Sequence, residues 1–254
     1  MDAYTGFAAV YDLFMDNIPY EEWADYIHGL LVEYGIKDGL VLDLGCGTGS
    51  LTEIMDGLHY DMIGVDCSED MLEIAMEKRV QSGRDILYLL QDMREFELYG
   101  TVRAVVSVCD SLNYITSEEE LLTVFKLVNN YLDPGGIFLF DLNTEYKYRE
   151  LMGERVFAED REDSSFIWDN CYYEDEEINE YDLSIFVRGK DGRYDKYEET
   201  HYQKAYSIDT VEKLLSMSGL QFVAAYDAFS REAPKEDSER IYVIARECQK
   251  NCDK

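Results

Sequence analysis

The sequence predicts an α/β protein: a seven-stranded, mostly parallel sheet with helices on both faces, carrying an inserted antiparallel β layer. Three observations predict it. Between Leu40 and Asn143, apolar strands alternate with helical patterns. The first strand ends in Gly45-Cys46-Gly47-Thr48-Gly49 and turns directly into a helix, as ligand-binding βα units do. Near Met152 the alternation gives way to a tyrosine-rich stretch with period-2 patterning, and it resumes after Tyr206.

Each element has its own signal. Residues 3–16 and 20–34 read as helices separated at Pro19, with Tyr4, Phe7, Ala8, Tyr11, Phe14 and Met15 at helical spacing. Strands are read at 40–44, 60–65, 86–90, 102–108 and 136–142, and helices at 49–57, 69–80 and 117–131. Val102 to Cys109 is almost continuously apolar, which implies burial on both faces of a parallel sheet. Ser117 with Glu120 reads as a capping box. Pro134-Gly135-Gly136 reads as the turn into the fifth strand. The insertion, 153–206, reads as antiparallel hairpins turning at Asp163-Ser164, Glu176-Glu177 and Asp191-Gly192. A helix at 208–218 closed by Gly219 follows, then strands at 220–228 and 240–246. One domain, 1–152 with 207–248, therefore carries a second layer, and residues 1–35 form a helical cover.

The charge of −31 limits the partners. Such a surface repels phosphate backbones and anionic membranes, and no Lys/Arg-rich run offsets it. The chain is expected to bind neither nucleic acid nor membrane, and a neutral or cationic small molecule suits it better. No apolar run approaches the ~18 residues of a membrane span, and the start lacks a secretory signal, so a cytoplasmic place is expected. The exposed hairpins are a candidate homodimer surface. None of the six cysteines forms a C-x-x-C pair; Cys46, Cys67 and Cys109 read as reduced, half-buried thiols. No metal-ligand cluster is read.

Four points fall at the carboxyl ends of successive strands, where open α/β sheets bind ligands. Gly45, Gly47 and Gly49 allow a tight turn and close approach of a ligand to the backbone. The spacing is G-x-G-x-G, one residue short of the dinucleotide pattern, which argues against a nicotinamide oxidoreductase. Asp66 ends the second strand, where a carboxylate can accept from two ribose hydroxyls; it can also serve only as a helix cap. Asp92 and Met93 follow the third strand and suit an adenine ring and its amine. Cys109-Asp110-Ser111-Leu112-Asn113-Tyr114 follows the fourth and faces the reacting end.

With these motifs together, the chain resembles the class I S-adenosylmethionine-dependent methyltransferases. The residues that carry the resemblance are Val41 to Gly49, Asp66 with Ser68 and Met71-Leu72, Gln91-Asp92-Met93, Cys109 to Tyr114, and Leu132 to Gly136. Tyr4-x-x-Phe7-Ala8-x-x-Tyr11-Asp12 resembles the lid helix of small-molecule methyltransferases, in particular a Firmicute-type group with a hairpin insertion. The resemblance implies a Rossmann-like sheet and S-adenosylmethionine as the methyl donor. It implies that Gly45, Cys46, Gly47 and Gly49 hold the methionyl end, Asp66, Cys67 and Met71 the ribose side, and Asp92 and Met93 the adenine. Tyr11 would close over the methionyl portion, although its spacing from Phe7 and Phe14 also fits plain packing. Cys109, Asp110 and Asn113 would line the methyl's path.

The expected chemistry is in-line displacement at the methyl carbon, which needs mainly positioning and, for some acceptors, a base. Two base candidates stand out. His201 shares a strand face with Glu199 and Gln203, and that face can look down on the donor. Asp110 follows the fourth strand. His28 and His59 fall away from the sheet's carboxyl edge. The insertion's tyrosines, Tyr172, Tyr173, Tyr181, Tyr194, Tyr197, Tyr202 and Tyr206, read partly as a roof over the acceptor and partly as packing. The rival function is a non-catalytic module that binds S-adenosylmethionine or a protein partner. No N-P-P-Y or D-P-P-Y follows the fourth strand, which argues against methylation of bases in nucleic acids.

Overall fold

The computed structural model describes residues 11, 12, 14, 19–189 and 191–250. The helix expected over 3–16 lies outside the described residues except at Tyr11, Asp12 and Phe14, which are helical. The elements that follow are α1 (Tyr20–Glu33), β1 (Gly39–Leu44), α2 (Ser50–Gly57), β2 (Tyr60–Asp66), α3 (Glu69–Ser82), β3 (Leu87–Leu90), β4 (Val102–Ser107), α4 (Glu118–Tyr131) and β5 (Leu132–Asn143). After a π-turn at Lys147–Met152 come β6 (Arg155–Asp160), β7 (Ser164–Tyr173), β8 (Ile178–Arg188) and β9 (Tyr194–Lys204). α5 (Ile208–Ser218), β10 (Leu220–Asp227) and β11 (Arg240–Glu247) complete the described chain.

The main sheet runs β10-β11-β5-β4-β1-β2-β3. β11 pairs antiparallel with β5 and β10, and the other neighbours are parallel. Chain order reverses between β1 and β4, which opens the crevice that such sheets offer to ligands. The central strands bury both faces. Leu42 and Leu44 of β1, with Phe138 and Phe140 of β5, pack against Leu121, Val124 and Phe125 of α4 and Leu214 and Leu215 of α5. Val41, Ala104, Val106, Ile137 and Leu139 point the other way, towards Ile27, Leu30 and Leu31 of α1 and Met55 of α2. A strand with apolar residues at consecutive positions can only sit in the middle of three layers.

Two local details differ from the sequence reading. β5 begins at Leu132, which pairs with Val102; Asp133 to Gly136 then bulge out opposite Arg103, and pairing resumes at Ala104 with Ile137. The prolyl-glycine pair marks a bulge inside the strand, not the turn before it. At α4, Ser117 Oγ accepts from the Glu120 N–H at 3.2 Å, but the Glu120 carboxylate pairs with Arg94 at 2.9 Å. Half of the capping box is formed, and the other half is spent on a charge. α5 is capped as expected, by Ser207 at its start and by left-handed Gly219 at its end.

The insertion is a separate four-stranded antiparallel sheet in the order β6-β7-β8-β9. Its inner face buries Tyr181, Leu183 and Ile185 of β8 and Glu199, His201 and Gln203 of β9. Tyr173, Tyr194 and Tyr202 face outwards, and Tyr197, opposite Ile185 on the inner face, is exposed as well. No helix among the described residues is long and apolar enough to cross a membrane.

The two layers meet at a buried charge cluster. Arg240 of β11 pairs with Asp110 at 2.7 Å and with fully buried Asp141 of β5. Asp110 also accepts from the Gln203 side chain of the insertion at 2.6 Å. Removing the cation leaves two acids facing each other out of water, so Arg240→Leu should lower stability by about 3–5 kcal/mol. Urea unfolding of the full chain measures this, and an unchanged midpoint would mean the cluster contributes nothing.

Candidate active site

A cavity of about 790 Å³ opens at the carboxyl ends of β1 to β4. The glycine loop forms its floor. Gly45 has φ +84°, and a Cβ there would lie 2.7 Å from Ser111 Oγ, so the loop after β4 packs directly on the glycine backbone. Asp66 fixes the loop from the side: its two oxygens accept the N–H groups of Gly47 at 2.8 Å and Ser68 at 2.9 Å. Thr48 fixes it from above. Its hydroxyl donates to Asp12 at 2.6 Å, and Lys78 bridges Asp12 at 2.5 Å and Ser50 at 2.7 Å. Asp43 lies underneath and accepts from Thr52 at 2.6 Å.

Of the residues singled out from sequence, Tyr11, Gly45, Cys46, Gly47, Asp66, Cys67, Met71, Asp92, Met93 and Cys109 line this cavity. Thr48, Ser50, Tyr20, Ser111, Arg94 and Tyr114 line it as well. Tyr20 is hydrogen-bonded to Tyr11, and burial pushes its phenol pKa up. The Arg94 guanidinium engages both oxygens of Asp92 and holds its carboxyl below the usual range.

Comparison with known proteins follows this geometry. Residues 41–136 match the model of a methyltransferase domain. The Bacillus subtilis protein YqeM, a methyltransferase by name, is 37% identical over 244 residues, 96% of each chain. A similarly named protein from Geobacillus is 35% identical over 245 residues, 96% of this chain and 99% of that one. A crystal structure of an S-adenosylmethionine-dependent methyltransferase from Clostridium acetobutylicum superposes with a TM-score of 0.87 at 30% identity, over 97% of this chain and all of that one. The chain belongs to the S-adenosylmethionine-dependent methyltransferases.

Within this methyltransferase the remaining candidates stand outside the cavity wall, each for a physical reason. Gly49 caps α2 in a left-handed turn, and a Cβ there would lie 2.4 Å from the Tyr88 hydroxyl, so it is a packing glycine beneath the loop. Asn113 is fully buried and structural. It accepts from the Asn143 N–H at 3.0 Å and donates to the carbonyls of Asn143 and Lys204, tying the insertion to the sheet. Asp110 is held by Arg240 at one carboxylate oxygen and by Gln203 at the other. His201 is buried behind Tyr114, 3.3 Å from its hydroxyl, and reaches the cavity only through it. None of the insertion's tyrosines lines the cavity. Tyr181 and Tyr206 are core residues instead.

Of the three cysteines read as half-buried, Cys46 is buried, Cys109 half-buried and Cys67 exposed, and burial pushes the thiols of Cys46 and Cys109 well above the ordinary range. A protonated thiol offers the cavity a small apolar wall. The residues present fit S-adenosylmethionine. A glycine cradle with no room for a Cβ at Gly45 accepts a close backbone approach, and a carboxylate pre-oriented by two N–H groups stands at its rim.

Asp43 carries a pH signature. Burial pushes its carboxyl up to about 7 from 3.8. Between those values the folded chain keeps a proton that the unfolded chain has released, so stability falls as pH rises through this window. Asp43→Asn keeps the Thr52 bond and removes the titration. Between pH 5 and pH 8 the wild type should lose about 2 kcal/mol more than the variant; parallel melting curves across that range would disprove the assignment.

Proposed function

We propose that this methyltransferase acts on a small acceptor that is neutral or cationic, with an amine nitrogen as the receiving atom. Bound S-adenosylmethionine supplies an electrophilic methyl group on a sulfonium. Asp66 would hold the ribose, Cys67, Met71 and Met93 the faces around the adenosine, and Asp92, shared with Arg94, the adenine edge. Gly45 to Gly47 would receive the methionyl end, with Tyr11 above it. Nucleophile and methyl then need only be held ~3 Å apart and in line.

The acceptor class is supported by charge and by kinship. The net charge of −31 disfavours polyanions. A Streptomyces venezuelae enzyme named as a dTDP-amino-sugar N,N-dimethyltransferase is 34% identical over 136 residues, 53% of this chain and 56% of that one. Its name places the methyl groups on nitrogen. A non-catalytic module has no comparable support. The observation that carries the reading is the Asp66 carboxylate, lining the cavity with its orientation already set by the glycine loop.

Asp66→Ala should weaken S-adenosylhomocysteine binding by roughly 10- to 100-fold, the loss of one or two charge-assisted hydrogen bonds. Titration calorimetry on the full chain measures it. Equal affinity in the two proteins would remove Asp66 from the ribose, and heat from NADH instead would remove the methyl-transfer reading.

A further inference from the structure

Tyr114 stands at the end of the loop after β4 and lines the cavity. Behind it runs a buried chain. His201 Nδ1 lies 3.3 Å from the Tyr114 hydroxyl, and His201 Nε2 lies 3.1 Å from the Glu199 carboxylate. The His201 side chain is 0% exposed and that of Glu199 6%. Tyr181 stacks on the imidazole at 4.7 Å and 9°, and its own hydroxyl is hydrogen-bonded to Tyr114. Trp168 packs behind Tyr181 at 4.5 Å.

The order of the chain sets its polarity. An ionised carboxylate accepts and cannot donate. Where Glu199 is ionised it takes the Nε2–H, and the imidazole turns its Nδ1 lone pair towards Tyr114. The phenol donates to that lone pair, and the Tyr181 hydroxyl donates in turn to the phenol oxygen. A buried acid that fixes a histidine tautomer, with the histidine addressing a hydroxyl at the reacting end, is a recurring arrangement for moving one proton. The aromatic stack keeps the ring from rotating out of that tautomer's geometry.

We propose that Tyr114 is the catalytic residue that takes the acceptor's proton, with His201 and Glu199 as positioning residues acting through it, so that the acceptor is a primary or secondary amine. The proposal rests on the methyl-transfer reading above. As nitrogen bonds to the methyl carbon, the carbon–sulfur bond breaks and its electron pair stays on sulfur. The N–H proton passes to the Tyr114 oxygen while the phenolic proton passes to His201 Nδ1. A neutral methylated amine and an imidazolium paired with Glu199 result, and the imidazolium returns its proton to water through Tyr114. A tertiary amine or a thioether has no proton to give and gains nothing from the chain.

Two readouts on the full chain test this. With ¹⁵N-labelled histidine and S-adenosylhomocysteine present, His201 is one of three imidazoles, identified by the signal lost in His201→Gln. It should be the Nε2–H tautomer, and Tyr114→Phe should shift its Nδ1 resonance while His28 and His59 stay in place. An Nδ1–H tautomer, or no shift in Tyr114→Phe, overturns the proposal. Methyl transfer from tritiated S-adenosylmethionine into a filtered metabolite extract is the second readout. Aqueous acetylation of the extract's amines should abolish labelling, and Tyr114→Phe should slow it by about 100- to 10,000-fold while S-adenosylhomocysteine still binds. Full labelling of the acetylated extract, or a Tyr114→Phe rate equal to wild type, overturns it. A wild-type chain that does not bind S-adenosylhomocysteine fails the methyl-transfer reading itself and takes this proposal down with it.

Discussion

Asp141 sits fully buried on β5 with Arg240 against one edge and two backbone N–H groups against its oxygens, those of Cys109 at 3.2 Å and Asp110 at 2.8 Å. Burial pushes its carboxyl up and Arg240 pulls it back. Both residues that donate to it are in the left-handed region, Cys109 at φ +60° and Asp110 at φ +55°. Two successive non-glycine residues there cost about 1–3 kcal/mol each, and a buried anion that collects their N–H groups is what makes the turn hold. Everything after it follows from that turn. Ser111 is brought onto the glycine loop, Asn113 into the seam with the insertion, and Tyr114 to the cavity wall.

The same clamp joins the layers to one another. Arg240 carries Trp23 of α1 over its guanidinium at 5.3 Å, Asp110 carries Gln203 of β9, and Gln203 carries the Tyr148 hydroxyl at 3.0 Å. Helix, sheet and insertion thus share one set of charges out of water. Such a network is rigid because each partner, once lost, leaves another unsatisfied. On the opposite side Asp12, Thr48, Lys78 and Ser50 tie the start of the described chain to the glycine loop by partly exposed bonds. Partly exposed ion pairs hold weakly, so this tie contributes less than the buried cluster on the other side.

What was legible in the sequence was whatever is local. The strands of the main sheet, the hairpin turns of the insertion and the helix ends at Ser207 and Gly219 depend on residues a few positions apart. The floor of the cavity was legible for the same reason: Gly45 to Gly49, Asp66 and Met93 each follow a strand end. What depends on distant partners was not. Asp110 looks like a free turn acid until Arg240 arrives from 130 positions away. Asn113, polar and in a loop after a strand end, reads as lining the methyl's path, yet two backbone partners at Asn143 and one at Lys204 bury it. Glu120 reads as a cap partner because Arg94 is invisible to a four-residue window.

The two halves of the reaction are therefore encoded differently. The donor side is written into consecutive βα units, each bringing one loop to the same sheet edge, so its chemistry survives as short motifs. The wall proposed for the acceptor joins a loop after β4 to strands of a separate sheet. Tyr114 meets Tyr181 and His201 across 67 and 87 positions. Such contacts leave no spacing in the sequence, only residue types. A histidine on the inner face of β9 is costly to bury without partners, and here both ring nitrogens have them, an acid on one side and a phenol on the other. That pairing is selective in a way that packing alone is not: an apolar ring would fill the same space beside Tyr181. The two polar contacts of the imidazole run to Tyr114, a residue of the cavity wall, and to Glu199 behind it.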